Sequence, residues 1–372
     1  MTAARPTADG PPEGPSDAPH EPALDVSVVI AARDAEATLP AQLDALAAQD
    51  PACTWEVLVA DNGSTDGTRD VVRDAARGPA EVRLVDASGI RGAGAARNAG
   101  ARAARGRDLL FCDADDVVAP GWVDALHGAL RDADVAAGRL EWERLNSRAA
   151  QGSRALPQVD GLQYTEPLPW LGSASSSNLA VRRSVFDGLG GFDVRARYLQ
   201  DTDLCWRAQL AGGALAFEPD AVVHMRLRDG LVGAWRQGRG SGMGQRWLAA
   251  RYAEVAAQAA ADGSAPVAGD DAVTGDDRGA ARWWPARIVR RAWLVAGEAA
   301  RIRSRGDVAR LSWSTGFGIG YARGGLPDPE PLRAGSSRWR AARTRRADPR
   351  SGRTRTGDPR AATGRPPVRA PG

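Results

Sequence analysis

The chain has little cysteine: three residues in 372. Cys53, Cys112 and Cys205 are too few and too scattered to frame a disulfide scaffold, and a reducing cytoplasm suits them best. Cys112 and Cys205 fall in or beside apolar runs and read as core fillers. Long apolar runs are missing too. None reaches the roughly 20 residues that span a bilayer. The first residues are rich in Pro, Ala and Asp and lack the apolar core of a secretory leader. Charge of one sign is not in excess either. The net value is +3, which makes no case for a specific nucleic-acid partner. Only the stretch from Arg333 to Arg365 is dense in arginine and nearly free of bulky apolar residues. It reads as a solvated tail with nonspecific contacts at most.

What is present is strand–helix alternation. Val26-Ser27-Val28-Val29-Ile30 reads as a strand, and Leu39, Leu43, Leu46 and Ala47 recur at helical spacing. Further strands are expected at Glu56 to Ala60, Glu81 to Val85 and Leu109 to Cys112. Helices are expected through Val71 and Val72 and over Ala93 to Ala104. This order predicts an α/β layer sandwich around a mostly parallel sheet. The second part is less regular. It predicts strands near Val135 to Trp142 and Ser177 to Val181, a short helix from Ser184, a helix over Leu204 to Leu210, and a weakly alternating run from Ala214 to Val223.

Two of the strands end in acids. Asp108-Leu109-Leu110-Phe111-Cys112 runs into Asp113-Ala114-Asp115-Asp116, and Trp55-Glu56-Val57-Leu58-Val59-Ala60 runs into Asp61-Asn62-Gly63-Ser64. Residues i and i+2 of an extended segment share a face, so Asp113 and Asp115 can point at one cation. Like charges this close are costly without a positive partner. A solvated strand-to-loop turn is the alternative. Oxygen ligands favour Mg²⁺ or Mn²⁺. His224, at the end of an apolar run, is either a nitrogen ligand or a structural histidine. The turn Gly63-Ser64-Thr65-Asp66-Gly67 opens a helix. It could hold an anion on its N–H groups or be capped by Ser64 or Thr65.

Taken together, these segments resemble family-2 glycosyltransferases of the GT-A fold, over about Val26 to Leu231. The carriers are the opening strand, Asp61 to Thr68, Gly94-Ala95-Ala96-Arg97-Asn98-Ala99-Gly100, Cys112 to Asp116, Gly190-Gly191-Phe192-Asp193, and Asp201-Thr202-Asp203-Leu204-Cys205-Trp206-Arg207. Ala31-Ala32-Arg33-Asp34 replaces the family's usual Pro, small residue, Tyr, Asn. Asn62 stands where a second Asp is common, and Gln200-Asp201 where Glu-Asp is usual.

The resemblance implies inverting transfer from a nucleoside-diphosphate sugar, with Asp201 as base. Donor contacts would come from Asp61, Arg97 and Asp113, with Arg97 either facing phosphate or holding the acids as a buried ion pair. The metal would be held by Asp115, Asp113 and His224. Asp203, Trp206 and Trp170 would lie on the acceptor side, with packing as the alternative for each aromatic. The acceptor would be a glycan, a lipid-linked glycan or a small molecule, in cell-envelope or polysaccharide synthesis. Arg236-Gln237-Gly238-Arg239-Gly240 is expected as a mobile basic loop over the diphosphate. Two rival readings stay open: nucleotidyl transfer to a sugar phosphate, against which Ala31 to Ala35 lacks glycines, and a non-catalytic nucleotide- or glycan-binding protein.

The expected organisation is a tail over 1–24, a catalytic domain over 25–250, a linker or surface insertion over 251–280, an amphipathic helical region over 281–325, and an Arg/Pro-rich tail over 326–372. Trp283 to Ile302 could dock on anionic lipid or pack on the catalytic domain. The expected location is cytoplasmic, with peripheral contact at the inner membrane face open.

Overall fold

In the computed structural model, residues 23–75, 81–152, 157–227, 230–263, 302 and 304–332 are described. Eight strands form one sheet in the order β3-β2-β1-β4-β7-β6-β8-β5. They are β1 (Leu24–Ala32), β2 (Trp55–Asp61), β3 (Val82–Asp86), β4 (Gly106–Asp113), β5 (Val117–Val118), β6 (Val135–Glu141), β7 (Asn178–Arg182) and β8 (Leu215–His224). The first half, β3-β2-β1-β4, is parallel throughout. β7 then runs antiparallel to both β4 and β6, and β6 is parallel to β8.

Parallel strands β1, β2 and β4 are covered on both faces, so they read as continuous apolar runs. Alternation sorts their side chains into two cores. Val26, Val28, Ile30, Val57, Val59, Leu110 and Cys112 point to one face. There they meet α1 (Leu39–Ala47) through Leu39, Leu43 and Leu46, and α4 (Trp122–Ala129) through Trp122, Val123 and Leu126. Val29, Leu58, Leu109 and Phe111 point to the other. Phe111 packs with Phe186 and Phe192 at ring distances of 5.5 and 5.2 Å. Helices α3 (Ala93–Ala103), α6 (Arg183–Gly188) and α7 (Gln200–Leu210) lie on this second face. Cys112 and Cys205 are core residues, and burial pushes the Cys205 thiol up to about 12. The remaining early helices are α2 (Thr68–Ala75) and the one-turn α5 (Arg148–Gln151).

The C-terminal region differs from the expectation. Arg236 to Gly240 is no loop. It lies inside α8 (Leu231–Arg251), a helix of 21 residues. Residues 253–261, expected in a linker, form α9 (Ala253–Ala261), which buries Val255 and Ala259. α10 (Arg305–Arg323) opens with a capping box of Ser304 and Asp307 and packs along α8. The glycines explain the pairing. A methyl group on Gly238 would strike the Trp313 carbonyl, and one on Gly242 the Phe317 carbonyl; Gly316 and Gly320 meet the Trp235 and Arg239 carbonyls in return. Glycine here permits backbone contact, where the sequence suggested motion.

Leu326 and Leu332, expected in a tail, pack on the cluster around Trp206, Trp247 and Tyr252. The segment 1–22, nearly all of the Trp283 to Ile302 stretch, and 333–372 lie outside the described residues. Among the described residues no helix is long and apolar enough to cross a membrane.

Candidate active site at the carboxyl edge of the sheet

β1 separates the two acid-ended strands. Ala31 is in register with Asp113 on β4, and Ala32 with Asp61 on β2. The two acids therefore sit about two strand spacings apart, ~10 Å. This is the point where the parallel strands leave β1 in opposite directions, the usual crevice of an open α/β sheet.

Past β4 the chain turns at once. The Gln42 amide clamps that turn, donating to Asp113 O at 3.1 Å and accepting from Val118 N at 3.0 Å. Arg226 braces it from beyond β8, donating from N to Asp116 Oδ1 at 2.8 Å and from Nε to Asp115 O at 3.0 Å. Asp113, Asp115 and Asp116 each bring a carboxylate oxygen within 4.8 Å of the others. Asp116 is 1% exposed, and its Oδ2 has no hydrogen-bond partner among the described residues. Burial, then the charges of Asp113 and Asp115, push its carboxyl well above the usual range. An all-oxygen cluster with an unpartnered buried oxygen fits a hard divalent cation.

His224 is in register with Val117 and with Glu141. Its Nδ1 pairs with Glu141 Oε2 at 2.5 Å, and it is not part of the three-acid group. Burial opposes the charge of Glu141, but the His224 ring and the N–H groups of Glu143 and Arg144 hold its carboxyl below the usual range.

Arg97 is 3% exposed on α3 and donates to Asp113 Oδ1. It also lies 5.8 Å from the Phe192 ring centroid. With the Gln200 amide turned to satisfy both its ends, Gln200 accepts from Arg97 Nη1 at 3.1 Å and donates to Ala196 O at 3.3 Å. Arg97 thus forms a buried ion pair with Asp113. It links the carboxylate turn to the first residue of α7. The next residue, Asp201, accepts from Ser176 N at 3.0 Å and Ser176 Oγ at 3.3 Å through Oδ2, and from Thr202 N at 2.9 Å through Oδ1.

Asp61 is fully buried. It accepts from Ser64 N at 3.1 Å and Arg69 Nε at 2.6 Å. Burial opposes its charge, but the Ser64 and Arg69 hydrogen bonds outweigh it and lower its pKa. A carboxyl with a depressed folded pKa stabilises the fold above its unfolded value, and that stability is lost as pH falls through the folded value. Arg69→Ala should therefore move the acid-unfolding midpoint to higher pH. It should also lower stability at neutral pH, by less than loss of a fully buried pair would, because Arg69 is 41% exposed. Near-UV circular dichroism across an acid titration would read both.

The turn after Asp61 is not open to an anion. Its N–H groups at Ser64, Thr65, Gly67 and Thr68 already bond Asp61, Asp34, Glu36 and Asp66 respectively. Asp66 serves the Thr68 N–H of α2, where Ser64 or Thr65 was expected. Asn62 donates to Ala87 O and Ile90 O and accepts from Gly92 N. A carboxylate could not donate, which explains an amide at this position.

Two residues expected at the acceptor lie inside the fold instead. Asp203 is fully buried among Arg207, Arg251 and Tyr252. Trp206 is fully buried too, with its indole N–H on Leu171 O at 3.2 Å and its ring edge-on to Tyr252. Trp170 is half-buried against the same cluster. Sequence reasoning missed Gln42, Glu141, Ser176 and Arg226. Of these, only Arg226 carried a signal, standing two residues beyond His224, just past the end of β8.

Residues 27–190 match the profile described as Glycosyl transferase family 2. Over this segment the chain is similar to glycosyl transferase family 2. The family-2 segment covers the parallel half of the sheet and the carboxylate turn but stops before Asp201. Beyond the profile, the chain is 31% identical over 224 residues to the succinoglycan biosynthesis protein ExoO of Rhizobium meliloti, covering 56% of this chain and 62% of that protein. It is 29% identical over 239 residues to the pre-mycofactocin glycosyltransferase of Mycobacterium tuberculosis, covering 60% and 46%. The chain therefore spans less than two thirds of either relative. In structure it resembles a mannosyltransferase of Pyrobaculum calidifontis, PcManGT, solved with GDP-Man and Mn²⁺. The TM-score is 0.52 at 20% identity, covering 84% of this chain and 91% of that one. At that identity the likeness establishes the GT-A fold.

Proposed function

We propose that this protein transfers a sugar from a nucleoside-diphosphate sugar to an acceptor hydroxyl, with inversion at the anomeric carbon. The observation that carries the reading is the bonded path Asp113–Arg97–Gln200, which ends beside Asp201. It supports a reading in which the carboxylate cluster at one end would hold a cation and Asp201 at the other would act as general base. Asp115, Asp113 and Asp116 would hold Mg²⁺ or Mn²⁺. His224, its Nδ1 on Glu141, lies outside the three-acid group and would be a neighbour of the ion site and not one of its ligands. A bound cation would offset the charge of the departing diphosphate.

Asp201 would take the acceptor proton as the hydroxyl oxygen forms its bond to the sugar and the bond to the diphosphate breaks. A carboxylate is a weak base for a free alcohol. It suffices once the hydroxyl acidifies during bond formation and both partners are held in place. The donors on both Asp201 oxygens fix that place. Asp61 would serve the donor by shaping the wall of the crevice at the end of β2.

The named relatives support an acceptor in polysaccharide or glycolipid synthesis, since one is a succinoglycan biosynthesis protein and another a dolichyl-phosphate beta-glucosyltransferase of Drosophila melanogaster. Peripheral contact with an anionic membrane finds support on α8 and α10. These expose Arg236, Arg239, Arg246, Arg305, Arg310 and Arg323 against the single acid Asp307.

A thermal-shift panel of UDP-, GDP- and dTDP-sugars with and without Mn²⁺ tests the reading. One nucleotide class should raise the melting temperature only with the cation. No shift with any donor would refute the assignment.

A further inference from the structure

α7 begins without an N-cap side chain among the described residues, and Leu199 before it is left-handed, with φ 57°. Asp201 nevertheless sits in that first turn. Beside the bonds that Gln200 and Asp201 make to Arg97, Ser176 and Thr202, support comes from α8, through one stripe of residues, Gly240, Gly244, Trp247 and Arg251, spaced i, i+4, i+7 and i+11.

At one end of the stripe the chain leading to Asp201 lies on the glycines. A methyl group at Gly244 would sit 2.8 Å from Tyr198 O and 3.0 Å from Leu199 Cγ, and one at Gly240 would strike the Tyr198 ring. At the other end Arg251, its side chain 8% exposed, places Nε 2.8 Å from Asp203 Oδ1 as an ion-pair contact, with no hydrogen bond from Nε among the described residues. Tyr252 donates its hydroxyl to the same oxygen at 2.8 Å. Arg251 Nη1 also reaches Asp193 Oδ2 and Glu330 O, each at 3.2 Å, and its guanidinium lies 5.1 Å from the Trp247 ring centroid. Leu332 N closes the strap on Arg251 O at 2.9 Å.

Asp203 has a second cation of its own, Arg207, at 2.7 Å within α7. Removing Arg251 therefore leaves Asp203 neutralised. What is lost is the charged tie between the two helices, while the Tyr252 hydroxyl stays on Asp203.

We propose that Arg251 is a positioning residue for transfer, fixing the first turn of α7 through Asp203 and thereby the place of the Asp201 carboxylate. The inference rests on the reading of Asp201 as base. It makes the C-terminal helices, outside the family-2 segment, part of the acceptor-side machinery.

The test uses the full chain with Arg251→Gln, Arg251→Lys and, as a stability control, Val255→Ala in the same buried cluster. UDP and GDP binding with Mn²⁺ is measured by calorimetry. Turnover is measured on UDP-glucose, UDP-GlcNAc and GDP-mannose, and amide hydrogen exchange is followed by peptide. Arg251→Gln should lower kcat by about a hundredfold, the cost of an ångström-scale misplacement. Nucleotide affinity should stay within about twofold of wild type, and Arg251→Lys should recover part of the rate. Exchange should rise in 198–206 and hold steady in 113–118. Equal kcat in Arg251→Gln and Val255→Ala would overturn the proposal, as would unchanged exchange in 198–206. The exchange readout needs no substrate. A full-activity Asp201→Asn with raised exchange in Arg251→Gln would therefore remove the base while leaving the helix tie in place.

Discussion

Asp201→Asn should lower sugar transfer by about a thousandfold, within the range that loss of a general base produces. The substitution is nearly isosteric. Its amide oxygen can still accept from Ser176 N or Thr202 N, so the first turn of α7 should keep its shape. Gln200 and Arg97 stay as they are, and with them the link to Asp113. Donor affinity should therefore be unchanged, and the loss should fall on kcat. Steady-state kinetics beside calorimetric nucleotide binding separates the two. A variant with wild-type kcat would place the base on another residue.

Asp115→Ala is expected to act on the other side of the crevice. The three acids of the turn share one small volume, and Asp116 carries there a buried oxygen with no hydrogen-bond partner among the described residues. Deleting the middle acid removes a ligand from any bound cation. The expected loss is several kcal/mol of leaving-group stabilisation, about a hundredfold or more in rate. Nucleotide binding should also lose its dependence on Mn²⁺. The fold should survive, because Arg226 holds this residue through its backbone carbonyl, a contact alanine retains. Titrating Mn²⁺ against nucleotide affinity in both proteins decides the matter. An unchanged cation response would move the ligand set elsewhere.

The parallel half of the sheet was legible because the signal is periodic. Val26, Val28 and Ile30 face one core and Val29 the other, and strands buried on both faces leave long apolar runs. The acid-ended strands were legible for the same reason, since a strand's end is also the sheet's edge. Polar residues behaved differently. Asp203 follows Asp201 at a spacing of two, which says nothing of orientation on a helix, where the two point about 160° apart. Only the three-dimensional arrangement shows one carboxylate among Arg207, Arg251 and Tyr252 and the other on the Ser176 loop. The Ser64 to Thr68 turn misled for a related reason. Its N–H groups suit an anion, and the anions that take them are the chain's own Asp34, Glu36, Asp61 and Asp66.

The four glycines between α8 and α10 also constrain how this region can vary. Where two large side chains meet, one can shrink as the other grows, so a harmful change has a ready suppressor. At Gly238, Gly242, Gly316 and Gly320 each neighbour is a carbonyl of the opposite helix, and a main chain has nothing to trim. A larger residue at any of the four could be relieved only by parting the helices. Genetic repair at these positions should therefore be limited to true reversion.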